Sequence, residues 1–134
     1  MTTRITEELD LLRKRFSGLN YEPQGHWVLI PNFQLPEGWE PITTSVVFQI
    51  QSNHPSTAPY GIYVPSGLMF KGTKPIQQNN YVEPSANKVP FSGIWGMFSW
   101  APVEGQWFPK TDIIGGSNLL NWVLGFSERF REGL

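Results

Sequence analysis

Between Pro65 and Pro109 the chain meets a proline or glycine at short intervals, which leaves room for only short pieces of regular structure. A segment that long without its own elements is unusual inside a compact domain and is often functional. The regular scaffold must therefore come mainly from the flanks. On the N-terminal side, Ile5, Leu9, Leu12 and Phe16 recur at helical spacing. Glu7, Glu8 and Asp10 come early and Arg13, Lys14 and Arg15 late, a polarity that complements the helix dipole. The reading is an amphipathic helix over Thr6–Ser17, with Thr3 or Thr6 as cap and Gly18 as its left-handed stop.

Trp27–Ile30 reads as a short strand ending at Pro31, and Pro36-Glu37-Gly38 as a turn. Thr43–Gln51 alternates, with Val46, Phe48 and Ile50 on one face and Ser45, Val47, Gln49 and Gln51 on the other. Tyr60, Ile62 and Val64 repeat the pattern after His54-Pro55. At the far end Ser117–Arg131 reads as a second helix, capped by Ser117 and slightly weakened by Gly125. The expected order is a helix, three or four antiparallel strands, a long irregular segment and a helix, an α+β domain spanning 1–134.

Composition narrows the chemistry. Ten basic residues against eleven acidic ones give a net charge of -1, which provides no field for a nucleic-acid backbone or an anionic membrane. No run approaches the roughly 20 apolar residues of a membrane span, and the acidic start, Met1–Asp10, does not read as a secretory signal, so a cytoplasmic protein is expected. Cysteine is absent, which excludes thiolate metal sites and any thiol nucleophile. His26 and His54 stand 28 residues apart without a ligand cluster, so neither a metal nor a cofactor is expected. Ser85-Ala86-Asn87-Lys88 matches the short S-x-x-K pattern of serine acyl-transfer enzymes, but the companion motifs of that class are missing and a polar loop is the simpler reading. Four of the six tryptophans are Trp95, Trp100, Trp107 and Trp122. Such rings either line a carbohydrate or peptide groove or hold loops onto a sheet.

Three short motifs carry a family resemblance: Leu35-Pro36-Glu37-Gly38 before a strand, Pro55…Pro59 before the next, and Trp107-Phe108-Pro109-Lys110-Thr111-Asp112 before a helix. Together they resemble the ubiquitin-conjugating (UBC) superfamily. The resemblance is strongest to the prokaryotic UBC-like proteins of family E, which occur in bacterial operons beside ubiquitin-like proteins, activating enzymes and JAB-type peptidases. It covers most of Phe16–Arg131. It implies an N-terminal helix, an antiparallel four-stranded meander, a long segment bearing the active site, and a C-terminal helix.

That family tends to show a W-x-x-W-S-R-H-like run. Here it reads Trp95-Gly96-Met97-Phe98-Ser99-Trp100-Ala101, with Ala101 where histidine is expected. The conjugating cysteine of the superfamily usually lies shortly before the W-x-P motif, and Ser99 stands near its place. Without cysteine, thioester transfer cannot occur, and a serine hydroxyl lacking a base is a poor nucleophile.

The resemblance thus implies a non-catalytic UBC-like protein, a pseudoenzyme that binds a ubiquitin-like protein or an activating enzyme. In active relatives the N-terminal helix meets the activating enzyme, which makes Leu9, Arg13 and Lys14 interface candidates, with a solvated helix end as the plainer reading of the basic pair. Two rivals stand beside it. One is a serine-dependent acyl carrier or hydrolase using Ser99 or a residue of Lys71–Lys88. The other is an aromatic-lined carbohydrate or peptide binding module with Trp95, Trp100 and Trp107 exposed on one face.

Overall fold

The computed structural model describes residues 3–75, 80–101 and 106–132. Helix α1 (Thr3–Arg15) buries Ile5, Leu9 and Leu12 along one stripe. It starts three residues before the expected boundary, so Thr6 is an interior helical residue and not a cap. Gly18, at φ 82°, provides the left-handed stop beyond its end.

The strands follow as β1 (Asn20–Glu22), β2 (Trp27–Gln34), β3 (Trp39–Glu40), β4 (Thr43–Gln49), β5 (Ile62–Pro65), β6 (Met69–Phe70), β7 (Tyr81–Val82) and β8 (Trp95–Phe98). Six form one antiparallel sheet in the order β1-β2-β4-β5-β8-β7, and β3 pairs separately with β6. The first four strands of the large sheet are the expected meander. The Pro- and Gly-rich segment adds β8 and β7 to its edge, with Tyr63 opposite Met97 and Val82 opposite Met97 on the other side.

Strand β2 does not stop at Pro31. The register against β4 shifts between Ile30 and Phe33, and Asn32 takes φ 58°, so a bulge absorbs the proline, which has no N–H for the ladder. The strand then resumes to Gln34.

Alternation in the strands feeds two cores. Val28, Ile30, Val46, Phe48, Ile62, Val64 and Phe98 face the helices and pack with Leu9, Leu12, Leu119, Val123, Phe126 and Phe130. Trp27, Val47, Tyr63 and Trp95 face the other way, where Val89 and Phe91 cover them. The loop carrying Val89 and Phe91 is tied down by Asn87 Nδ2, which donates to the Tyr63 hydroxyl at 2.7 Å, and by Trp95 Nε1, which donates to the Phe91 carbonyl at 3.1 Å.

The C-terminal helical region is two helices, α2 (Leu119–Leu124) and α3 (Phe126–Arg131), which meet at Gly125. The cap is Asn118, not Ser117. Its side chain accepts from the Asn121 N–H at 2.9 Å, and the Asn121 side chain accepts in return from the Asn118 N–H at 3.1 Å. Ser117 instead joins two loops, its hydroxyl accepting from the Phe108 N–H and its own N–H donating to the Phe108 carbonyl, both at 2.9 Å. The whole is an α+β architecture of N-terminal helix, antiparallel sheet and C-terminal helices, an order consistent with UBC-like topology. Among the described residues no helix is long and apolar enough to cross a membrane.

Candidate functional site

Two polar or aromatic assemblies lie where α1, the β4–β5 connection and α2 converge. The first is built on Glu8, whose side chain is fully buried although it sits beside exposed Glu7. Its Oε2 accepts from Arg4 Nε at 2.7 Å and from His54 Nε2 at 2.8 Å, while Oε1 accepts from the Leu119 N–H at 2.6 Å. Arg4 Nη1 also donates to the Lys110 carbonyl.

Burial raises the Glu8 pKa, but the His54, Leu119 and Arg4 donors together outweigh it and hold the carboxyl below the ordinary glutamate range. One carboxylate thus satisfies an orphan donor of α2 and joins three separate parts of the chain. His54 Nδ1 is buried without a partner among the described residues. The Glu8 carboxylate and the His54 ring are buried and bonded within the chain, and the geometry of the cluster is that of a structural tie.

The second assembly is open to solvent. A cleft of about 290 Å³ is lined by Trp100, Trp107, Trp122, Asn121, Glu128 and Glu132, among others. Trp122 is buried beneath Trp100, with ring centroids 5.0 Å apart and planes tilted by 36°. Trp100 is held by its backbone, since its carbonyl accepts from the Gly61 N–H at 2.8 Å. Its ring lies across Gly125, where an added Cβ would come within 2.7 Å of the ring edge, so this close approach needs a glycine. Trp107 is fixed by Nε1, which donates to the Pro55 carbonyl at 2.7 Å.

Glu128 and Glu132 are four positions apart, on one face of α3 and its cap. Glu132 lies 3.9 Å from Arg129 Nη1, whereas the Glu128 carboxylate has no hydrogen bond or ion pair among the described residues. The Arg129 guanidinium is itself buried and sits over the Phe98 ring, 4.5 Å from its centroid. Among the described residues no Lys, Arg or His lines the cleft.

Of the residues singled out from sequence, Trp100 and Trp107 come together in this cleft. Trp95 does not, because the period of β8 points it to the opposite sheet face, where it is 7% exposed. The three rings therefore do not form one exposed face. Leu9 is 3% exposed in the main core and cannot touch a partner, for the same spacing that makes α1 amphipathic turns it inward. Arg13 and Lys14 are exposed in the last turn of α1, with Arg13 Nη1 3.3 Å from Asp10.

Ser99 is half-buried just past β8, and its N–H donates to the Asn80 carbonyl at 2.8 Å. Its hydroxyl has no hydrogen-bonded base among the described residues, and it does not line the cleft. Ser85 Oγ donates to the Asn87 carbonyl at 2.9 Å, an ordinary turn contact, with Lys88 exposed nearby in sequence. Positions 76–79 of the Lys71–Lys88 segment lie outside the described residues. No group of three or more potential metal ligands occurs among the described residues.

Sequence reasoning missed Glu8 and both cleft glutamates. The signal for Glu8 was present, since a charge at position 8 falls within the stripe formed by Ile5, Leu9 and Leu12. No protein-family model matches the chain, and no curated protein or solved structure does so either.

Proposed function

We propose that this chain is a non-catalytic UBC-like protein that serves as a binding or adaptor component of a prokaryotic ubiquitin-like modification system. The observation that carries the reading is the state of Ser99. It stands where the resemblance puts the conjugating cysteine, yet no acid–base partner reaches its hydroxyl among the described residues, and Ala101 supplies none. A scaffold of this order without a nucleophile is left with binding as its work.

Arg13 and Lys14 are the exposed candidates for the partner surface at the end of α1, and Leu9 supports them from below. The partner is a ubiquitin-like protein or an activating enzyme, and a cytoplasmic location goes with it. The test is affinity capture from cells that carry the gene, using wild type and an Arg13→Glu/Lys14→Glu variant. The reading expects wild type to recover a ubiquitin-like protein or activating enzyme and the variant to recover at least several-fold less, at unchanged thermal stability. Equal recovery by both would move the interface elsewhere, and recovery of neither class by wild type would overturn the adaptor role.

A further inference from the structure

We infer that the cleft between Trp100, Trp107 and α3 is a binding site for a methylated ammonium group. The inference stands apart from the adaptor reading, since it rests on the cleft alone. Three features of the cleft select this chemistry. The first is aromatic surface: half-buried Trp100 and Trp107 present indole rings, and buried Trp122 backs Trp100. Indole has the most negative ring face of the aromatic side chains, and it attracts cations held within about 6 Å of its centroid.

The second is charge. Glu128 and Glu132 contribute carboxylates on one face of α3 and its cap, and among the described residues no basic one lines the cleft against them. Arg129 offsets Glu132 only in part, at 3.9 Å and from a buried position over Phe98, while the Glu128 carboxylate has no partner among the described residues. Two carboxylates with no cation among the described lining residues repel an anionic ligand and attract a cation.

The third is the character of the walls. Ring faces cannot accept the strong hydrogen bonds that a bare ammonium gives up when it leaves water, and the carboxylates are exposed at the α3 side. A head group carrying methyls sheds little hydration and offers apolar contact to the rings while keeping its charge for the glutamates. The cleft is also pre-built. Trp107 is fixed through Pro55, the Trp100 backbone through Gly61, and the missing Cβ of Gly125 leaves the space that the Trp100 ring fills, so little ordering remains to be done on binding.

The same head group occurs on a free alcohol such as choline and on a trimethylated lysine side chain, and the test separates these sources. Calorimetric titration of the full chain is run with choline, with its neutral carbon isostere 3,3-dimethyl-1-butanol, and with N-acetyl-trimethyllysine amide beside its unmethylated form. Choline is expected to bind saturably and the neutral isostere about tenfold or more weakly, the discrimination that a desolvated cation–π contact supplies. Binding of choline without the lysine derivative assigns a free small molecule; preference for trimethyllysine over choline and over unmethylated lysine assigns a side chain.

Glu128→Gln should weaken the methylated cation several-fold and leave the isostere unaffected. Trp100→Leu should abolish binding, with circular dichroism reporting the fold, and the exposed Glu128 position serves as the arm that does not depend on core packing. Equal affinity for choline and its isostere, or no heat from any methylated cation with the native fold intact, overturns the inference.

Discussion

The carboxylate of Glu8 and the imidazole of His54, 46 positions apart, lie 2.8 Å from one another in a fully buried contact that joins α1 to the β4–β5 connection. The other oxygen of the same carboxylate takes the first N–H of α2. Buried pairs of this kind add little compared with an apolar replacement of the whole cluster, but removing one member strands the rest. Glu8→Ala would leave the His54 N–H, the Leu119 N–H and Arg4 Nε without their acceptor. The expected loss is about 3–5 kcal/mol of unfolding free energy. Urea denaturation checks this, and a loss below about 1 kcal/mol would show that the cluster is not a structural tie.

The same carboxylate gives an acid dependence of known sign. Its pKa is lower in the folded chain than in the unfolded one, so protonation favours unfolding. The contribution is complete above the ordinary glutamate value of about 4.3 and is lost as pH falls through the lower folded value. The stability gap between wild type and Glu8→Gln should therefore shrink as pH falls below about 4.3. Urea midpoints collected across that range test it; a gap that widens in acid has the wrong sign.

Gly96 faces the main core under Tyr81. A Cβ there would lie 1.9 Å from the Tyr81 hydroxyl, which is anchored by donating to Glu83 Oε1 at 2.7 Å. Burial first, and then the Glu83 carboxylate, push the Tyr81 hydroxyl far above the ordinary tyrosine range, so it keeps its proton and its bond. Gly96→Ala must displace a buried ring, and overpacking of this sort costs about 1–3 kcal/mol or more. A melting temperature unchanged from wild type would show that Tyr81 moves freely.

Gly125 sets two effects against each other. Its φ of -71° suits alanine, and helix propensity alone would favour Gly125→Ala by up to about 1 kcal/mol. Against this, the new methyl meets the Trp100 ring at 2.7 Å, and the ring is backed by Trp122. The steric cost of about 1–3 kcal/mol is the larger, so net destabilisation is expected, with a changed tryptophan emission as Trp100 shifts. A more stable variant with unaltered emission would mean that propensity wins.

Much of the scaffold was legible because it depends on local periodicity. Ile5, Leu9 and Leu12 mark α1, and Val46 and Phe48 mark the inner face of β4. Val47 was assigned to a polar face, yet it is fully buried, since its cover comes from Val89 and Phe91, more than 40 positions away, where no local pattern announces it. The boundary at Gly125 was legible as a weakness but not as a break, and the Trp100 ring that packs against it comes from 25 positions upstream, beyond the reach of any local pattern.

The site was legible in part. Trp100 and Trp107 could be named from residue type, but their separation from Trp95 follows from the direction of β8. Glu128 and Glu132 looked like ordinary solvated charges, and only the approach of the Trp107 loop to α2, through Ser117 and Phe108, places them beside the rings.

The central claim, that this chain binds and does not carry an acyl group, is tested most directly by the intact mass of wild-type and Ser99→Ala protein recovered from cells that carry the gene. The account predicts the unmodified mass of the chain in both, before and after hydroxylamine. An added mass on wild type that hydroxylamine removes and Ser99→Ala lacks would contradict it and make Ser99 an acyl carrier.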